Sequence, residues 1–546
     1  MGKKWQVSEK FTEDVAAEKI VEAILHRRGI QTPKECQAFL APPDPSTFAP
    51  KDVGIDQASL ESAIARINQA IKKKESIVIY ADYDADGITS GAIIWETLWK
   101  LGARVMPYIP HRVEEGYGLS KKGIDAVRAQ FDPSLIVTVD HGITAAEEVA
   151  YAKSFGIDVI VTDHHVKPAK LPQCVIVHTT KLSGAGVSWM VAKELSKDAS
   201  VGLAAIGTIA DLMPLVGINR SIVKFGLESM RQTKRVGLNA LIAEAGIQKK
   251  DIDTYMVSHV LAPRLNAMGR LEHALDALRL LCTKDGEKAK LLATKLGLTN
   301  RERQKLTEDT VLQARSTLPK QLKNLIFIAE KDYNPGVIGL VAGRLVEEYY
   351  RPAIVLAIGD GFAKASARSI PGFNIVEAIR TCSDLLVDVG GHPMAAGFTV
   401  ETKNIEKLKL KMEKLAEKEL DEGKLTRVLK IDAEIPLTLV TEKLWKELQK
   451  LAPFGFGNYE PVFATREAKI IDARLIGATR KHLKLKVSSE GLRAVLDAVA
   501  FNMADMYGQL KSNQFLDLAY SIDMNQWNGN RQLQLKIRDI HALNQK

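Results

Sequence analysis

The sequence predicts an α/β protein: a doubly wound parallel sheet, a long connecting helix, a second α/β block and a C-terminal all-β domain. Three observations carry this reading. Between residues 77 and 178, short β-branched runs alternate with amphipathic segments, the rhythm of βαβ units. Residues 203–318 read as mostly helical and end in the charged stretch Lys288–Leu318. After Pro453 the texture changes to short alternating runs with few helix signals, in a length that suits one small barrel.

Residues 1–50 read as an N-terminal arm, with a helix over Thr12–His26 and the proline-rich connector APPDPSTFAP. A helix is predicted for Gln57–Lys74. Strands follow at Ile77–Tyr80, Arg104–Ile109, Leu135–Val139, Val159–Thr162 and Val175–His178, with helices over Ala92–Leu101, Lys121–Gln130 and Thr144–Phe155. The last should begin with a capping box, Thr144 and Glu147, and stop at Gly156. This domain is placed at 51–225 and a helical region with the connector at 226–320. Strands Leu325–Ala329, Ala353–Ala357 and Lys364–Ser369, with an amphipathic helix over Lys403–Leu420, assign a second α/β domain to 321–452 and leave 453–546 for the barrel.

Of the 546 residues, 46% are hydrophobic and 26% charged, which excludes a disordered or collagen-like chain. The four cysteines (Cys36, Cys174, Cys282, Cys382) form no CxxC pair, and the N-terminus lacks the apolar core of a signal peptide; both suit a reduced cytoplasm. The longest apolar stretch, Val201–Ile218, carries Asp211 and Pro214 and reads as buried protein rather than a membrane span. An aspartate inside such a run needs a partner. The net charge of +9 hints at a polyanion. Over residues 458–546, 13 Lys and Arg stand against 9 Asp and Glu. A strand from His482 would put His482, Lys484 and Lys486 on one face, which suits a groove along a phosphate backbone and equally an ordinary solvated face.

The chemistry concentrates at strand ends. Asp82, Asp84 and Asp86 alternate directly after the first strand of the parallel sheet; if extended, they point to one side, and three like charges there call for a cation. The strand Leu135–Val139 runs into Asp140 and His141, and Val159–Thr162 into Asp163, His164 and His165. Parallel sheets gather ligands at the carboxyl ends of their strands. Asp84, Asp86, Asp140, His164 and His165 therefore meet at one edge, and Asp211 gains a use as a further buried ligand. Mixed Asp and His ligation suits Mn²⁺, with Mg²⁺ and Zn²⁺ as competitors. The surplus of carboxylates favours two ions about 3.5–4 Å apart, an arrangement that hydrolyses phosphoesters. Neither a P-loop nor a GxSxG elbow is present.

These residues resemble the DHH phosphoesterases, and among them the RecJ family. ADYDADG (81–87), EGYGLS (115–120), TVDHG (138–142), TDHH (162–165), ADLMPL (210–215), APRLNAMGR (262–270), SARSIPGFNI (366–375), GGHPMAAGF (390–398) and PFGFGN (453–458) occur in RecJ order. The resemblance implies a DHH domain, a connecting helix, a DHH-associated domain and a C-terminal OB-fold. It implies 5′→3′ hydrolysis of single-stranded DNA to 5′-mononucleotides with two Mn²⁺ or Mg²⁺ ions. Asp84, with Asp82 nearby, would belong to the first ion. Asp86, His164 and Asp211 would hold the second, and Asp140 would bridge. His165 would touch the phosphate or orient the site, and Asp163 would steer a histidine. Arg112, Arg264, Arg270, Ser366, Arg368, Gly391 and His392 fall on segments that resemble DNA contacts, and Tyr83 and Tyr117 are candidates for stacking on bases. Tyr333-Asn334 and His111 depart from the family's common Trp-His and Asn, which affects substrate contacts there and no metal ligand. The implied partners are single-strand-binding protein and a RecQ-type helicase, for a cytoplasmic monomer with no membrane contact. Two other readings compete. A DHH hydrolase of small substrates would lack the basic β-tail and the long arm, and a non-catalytic DNA-binding scaffold would have lost carboxylates that are present here.

Overall fold

The computed structural model describes residues 3–112, 115–489, 495–510, 514–527 and 530–542. They divide into two compact units, one of residues 41–308 with 453–458, the other of 1–40, 309–452 and 459–546.

The first unit is built on a five-stranded sheet in the spatial order Arg104–Tyr108, Ser76–Ala81, Leu135–Val139, Asp158–Asp163, Val175–His178, all parallel. The two central strands are buried along their whole length. That is why they read as unbroken apolar runs: helices cover both faces. On one face Ile77, Ile79, Leu135 and Val137 pack with the helices Ala85–Lys100 and Gly184–Leu195. On the other, Val78, Tyr80, Ile136 and Val161 meet Lys121–Phe131 and Ala146–Ser154. The chain order reverses between Ser76–Ala81 and Leu135–Val139, and the carboxyl ends at such a switch point border a ligand crevice. The apolar run from Val201 is two helices, Val201–Ala210 and Gly217–Arg231, joined by a loop that contains Asp211. Among the described residues no helix is long and apolar enough to cross a membrane. The charged connector is a helix of 32 residues, Gly286–Thr317.

The second unit holds a mixed sheet, Leu386–His392, Ala395–Glu401, Phe362–Arg368, Ala353–Ile358, Ile326–Glu330, in which only the last pair is parallel. It also holds a closed barrel. Phe463–Ile476, His482–Ser488, Leu496–Ala500, Asn530–Ala542 and Phe515–Trp527 pair in that order, and the last returns to the first. Closure removes free edges. Leu483, Leu485 and Val487 are buried inside, so the alternation at His482–Ser488 does place His482, Lys484 and Lys486 outside. The fold class read from the sequence is the one observed.

Local details differ from expectation. The arm is not an isolated extension: Lys4–Val7 is a strand parallel to Val428–Ile431, and Trp5 Nε1 donates to Asp539 Oδ2 at 2.7 Å. The first helices are Ala17–Arg27 and Pro33–Leu40. Ala433–Glu434 already joins the barrel sheet, ahead of the division placed at 452/453. The capping box does not form. Ile143 N donates to Asp163 Oδ2 at 2.8 Å, which keeps Thr144 in a turn, and the helix begins at Ala146 with Ala145 as its cap.

Candidate metal centre

Asp82, Asp84 and Asp86 do not form one extended run. The strand ends at Ala81, and Asp84 caps the helix Ala85–Lys100, accepting from Asp86 N at 2.9 Å and Gly87 N at 3.0 Å. Asp86 therefore stands in the first helical turn, and the sharp strand-to-helix turn brings the carboxylates together instead of a pleat. The turn is tight: a Cβ on Gly87 would lie 2.6 Å from Asp82 Cβ. Asp86 is gripped by the start of Gly184–Leu195, with Gly184 N 2.7 Å from Oδ2 and Ala185 N 2.9 Å from Oδ1. Asn266 Oδ1 accepts from Ala85 N at 2.7 Å.

Asp140 follows its strand with φ +68, a left-handed conformation unusual for a side chain with a Cβ. Its Oδ1 lies 3.1 Å from His164 Nε2, yet the geometry makes no hydrogen bond, so this buried oxygen has no hydrogen-bond partner. His164 Nε2 is also 3.9 Å from Asp86 Oδ2 and 3.8 Å from Asp211 Oδ2. Asp163 is saturated: it accepts from the backbone N of Ile143, His164 and His165 and lies 2.8 Å from His165 Nδ1. It orients the turn and the second histidine. His178 Nε2 is 2.6 Å from His165 O, and the Tyr117 hydroxyl is 3.4 Å from His165 Nε2. His141 is buried with Nε2 3.0 Å from Tyr80 O, a packed side chain whose pKa burial pushes down to about 4.

Asp211 is partly buried at the end of an apolar run. It ends the helix Val201–Ala210, with its side chain 33% exposed. Leu212 N donates to Ile209 O and Met213 N to Thr208 O, the Schellman pattern, with Leu212 at φ +54 where glycine is usual.

Burial, and then repulsion from Asp84, raise the carboxyls of Asp82 and Asp86, the latter to about 6. Asp140 is raised well above the ordinary range by burial and then by Asp86, Asp84, Asp82 and Asp211. Asp211 is pushed up to about 8 by burial and then by Asp86 and Asp84. His165 loses charge by burial but gains more from Asp163, so its pKa rises to about 9, while Asp163 is held low. A crowd of raised carboxyls around an orphaned oxygen fits divalent cations. Among the described residues, three groups have ligand atoms within 4.8 Å of one another: Asp82, Asp84 and Asp140; Asp86, His164 and Asp211; Asp140, His164 and His165. Asp140 and His164 each belong to two of them.

Some positions were not legible from residue type. A Cβ on Gly184 would lie 2.3 Å from Asp140 Oδ1, one on Gly207 2.3 Å from Asp86 Oδ1, and one on Gly269 2.3 Å from Tyr83 O. These glycines leave room for the carboxylates and the acidic loop. Of the basic residues expected to meet substrate, Arg112 sits over the Tyr83 ring at 5.0 Å, and the charges of Arg112 and Arg270 both act on the Tyr83 hydroxyl. Arg264 is engaged elsewhere, with Nε 2.7 Å from Glu244 Oε2 and Nη1 2.8 Å from Val260 O; it anchors its helix. Ser366, Arg368, Gly391 and His392 lie in the other unit, on the strands Phe362–Arg368 and Leu386–His392.

Three family models match: the DHH family N-terminal domain over residues 76–218, the DHHA1 domain over 322–418 and the RecJ OB domain over 431–539. The single-stranded-DNA-specific exonuclease RecJ of Bacillus subtilis is 38% identical over 97% of this chain and 69% of its own length. The chain belongs to the RecJ family. The crystal structure of RecJ from Thermus thermophilus in complex with Mn²⁺ matches with a TM-score of 0.83 at 30% identity, over 99% of this chain and 80% of that one. The Mg²⁺ complex of the same RecJ gives 0.78 at 28% identity, over 99% and 79%.

Proposed function

We propose that this RecJ-family chain degrades single-stranded DNA from its 5′ end to 5′-mononucleotides, in recombination and repair. The observation that carries the reading is the set of overlapping ligand groups around buried Asp140 at the sheet's switch point. The donor set suits two Mn²⁺ or Mg²⁺ ions: Asp84 and Asp82 would hold one, Asp86, His164 and Asp211 the other, and Asp140 would contribute to the set. When bound, the ions supply positive charge to the oxygens of the scissile phosphate and acidify water in the site.

The protein's own groups do the rest. His165, oriented at Nδ1 by Asp163, offers Nε2 to a phosphate oxygen. Gly184 and Ala185 hold the Asp86 carboxylate in place through both its oxygens. Arg112, supported on Tyr83, and Arg270 attract the incoming backbone. Ser366, Arg368, Gly391 and His392, on motifs that resemble the family's DNA-contacting segments, contact the DNA. Arg264 is omitted, because Glu244, which also pairs with Arg301, and the Val260 carbonyl hold its guanidinium. The barrel's outward His482, Lys484 and Lys486 track the strand without reading its bases. Single-strand-binding protein and a RecQ-type helicase as partners, a monomeric state and a cytoplasmic location complete the proposal; family membership is their support.

The test is a time course on single strands labelled at the 5′ or the 3′ end, with Mn²⁺. Immediate release of labelled mononucleotide from the 5′-labelled strand alone is expected. Release from the 3′ end, or internal fragments, would contradict the proposal.

A further inference from the structure

The segment Pro453–Asn458 has no part in the chemistry above. It packs within the parallel-sheet unit, although the chain up to 452 and from 459 belongs to the other unit. Its attachment is specific. Leu215 N donates to Phe456 O at 2.8 Å, and Thr254 Oγ1 to Phe454 O at 2.5 Å. Pro453 O accepts from Asn458 Nδ2 at 2.8 Å and from the buried Arg220 Nη1 at 3.4 Å. Two glycines let it lie close. A Cβ on Gly457, at φ +73, would stand 2.9 Å from Pro214 Cβ and 3.1 Å from Pro214 Cα, and one on Gly455 2.6 Å from Leu215 Cδ1.

The loop it touches begins at Asp211. One residue on, Leu212 takes a left-handed conformation that costs a residue with a Cβ, and its side chain is 61% exposed. Packing of Leu212 therefore does little to hold the strained exit. The helix Val201–Ala210 fixes Asp211 from the N-terminal side; from the other side the loop is tied at Pro214 and Leu215.

We infer that Pro453–Asn458 is a positioning strap: it holds the loop 211–216 and so sets the ligating geometry of Asp211, without offering an atom to the ion. The inference rests on the metal reading proposed above. Partners that orient a ligand typically change metal affinity by about 10–100-fold. Disturbing the strap should therefore weaken the site that contains Asp211 and spare the site of Asp82 and Asp84.

The test is calorimetric Mn²⁺ titration of the full chain, with thermal melts as a check on folding. Wild type should bind two ions, and Asp211→Asn should weaken one event. Gly457→Ala should weaken that same event by about 10-fold, leave the other unchanged, and regain DNA hydrolysis with excess Mn²⁺. Gly455→Ala should act less, because its Cβ meets only the end of a flexible leucine. If Gly457→Ala loses its cooperative melt, Thr254→Val, which removes only the hydroxyl bond to Phe454, decides in its place. Equal weakening of both events overturns the strap. So does unchanged binding in Gly457→Ala and Thr254→Val where Asp211→Asn is weakened. A wild type that binds no Mn²⁺ overturns the metal reading, and the strap with it.

Discussion

At the carboxyl edge of the parallel sheet, Asp82, Asp86 and Asp140 are buried together, and the charges that act on them most strongly are other carboxylates. In the barrel, carboxylates meet cations: Asp497 with Lys484 at 2.8 Å, Asp517 with Arg466 at 2.8 Å, Asp523 with Lys536 at 2.9 Å. The residue types are the same; the arrangement differs. A barrel charge is compensated within the chain and partly by water, so each is worth little. At the sheet edge carboxylates crowd one another with little compensation, and protons or bound cations relieve them. The free energy withheld from folding there is available for binding ions. That contrast teaches where function sits better than the net charge does.

The contrast is sharpest at Asp140. Asp140→Asn should lower nuclease activity on the order of 10⁴-fold, as losses of central active-site groups do. The same variant without metal should melt higher than wild type, because one of the repelling charges is gone. Activity assays and metal-free thermal melts check both, and a lower melting point would break the picture of stored repulsion.

Next in size is pH. Asp86 at about 6 and Asp211 at about 8 lie above the ordinary carboxyl range, so the folded chain holds protons that the unfolded chain releases. Their stabilising contribution is complete below about pH 4 and is lost as pH rises through 6 and 8. His165, raised to about 9, adds to the same trend from about pH 6.5 upward. Metal-free protein should lose stability between pH 5 and 8 in denaturant titrations, and saturating Mn²⁺ should flatten the curve. A metal-free curve that rises over that range would contradict it.

The smallest effect belongs to the barrel. Lys486→Ala removes one outward cation, and should weaken single-stranded DNA binding several-fold and lower the salt slope by about 0.7. Turnover on a very short oligonucleotide should stay as in wild type. Lys484→Ala should do less, because Asp497 already offsets that charge.

The strands of the parallel sheet were legible because burial on both faces demands continuous apolar runs, and Leu135–Val139 and Val175–His178 have the predicted ends. The strand-end acids and histidines were legible by position, since the carboxyl edge of a parallel sheet is one place. Their conformation was not. Alternation of Asp82, Asp84 and Asp86 suggests a pleat, but Asp84 is a helix cap, and Asp86 and Gly87 just after it are poor helix formers that mask the helix start. Gly184 and Gly207 carry no chemical signal of their own; only the approach of a carboxylate gives them meaning. Arg264 falls on a family-like segment, whereas its ion pair with Glu244, twenty residues earlier, is set by packing that residue type does not reveal.

By itself, then, the sequence determined the α/β alternation, the edge where the acids gather and the kind of ligand they suit, because periodicity and side-chain chemistry are local properties. Tertiary structure decided which carboxylates share a ligand group, that Asp163 is spent on holding His165, and that Asp140 Oδ1 is left without a hydrogen-bond partner. Those outcomes depend on distances between segments far apart in the chain. The helix start at Gly184, reaching Asp86 across 98 residues, is one such distance that no window of sequence contains.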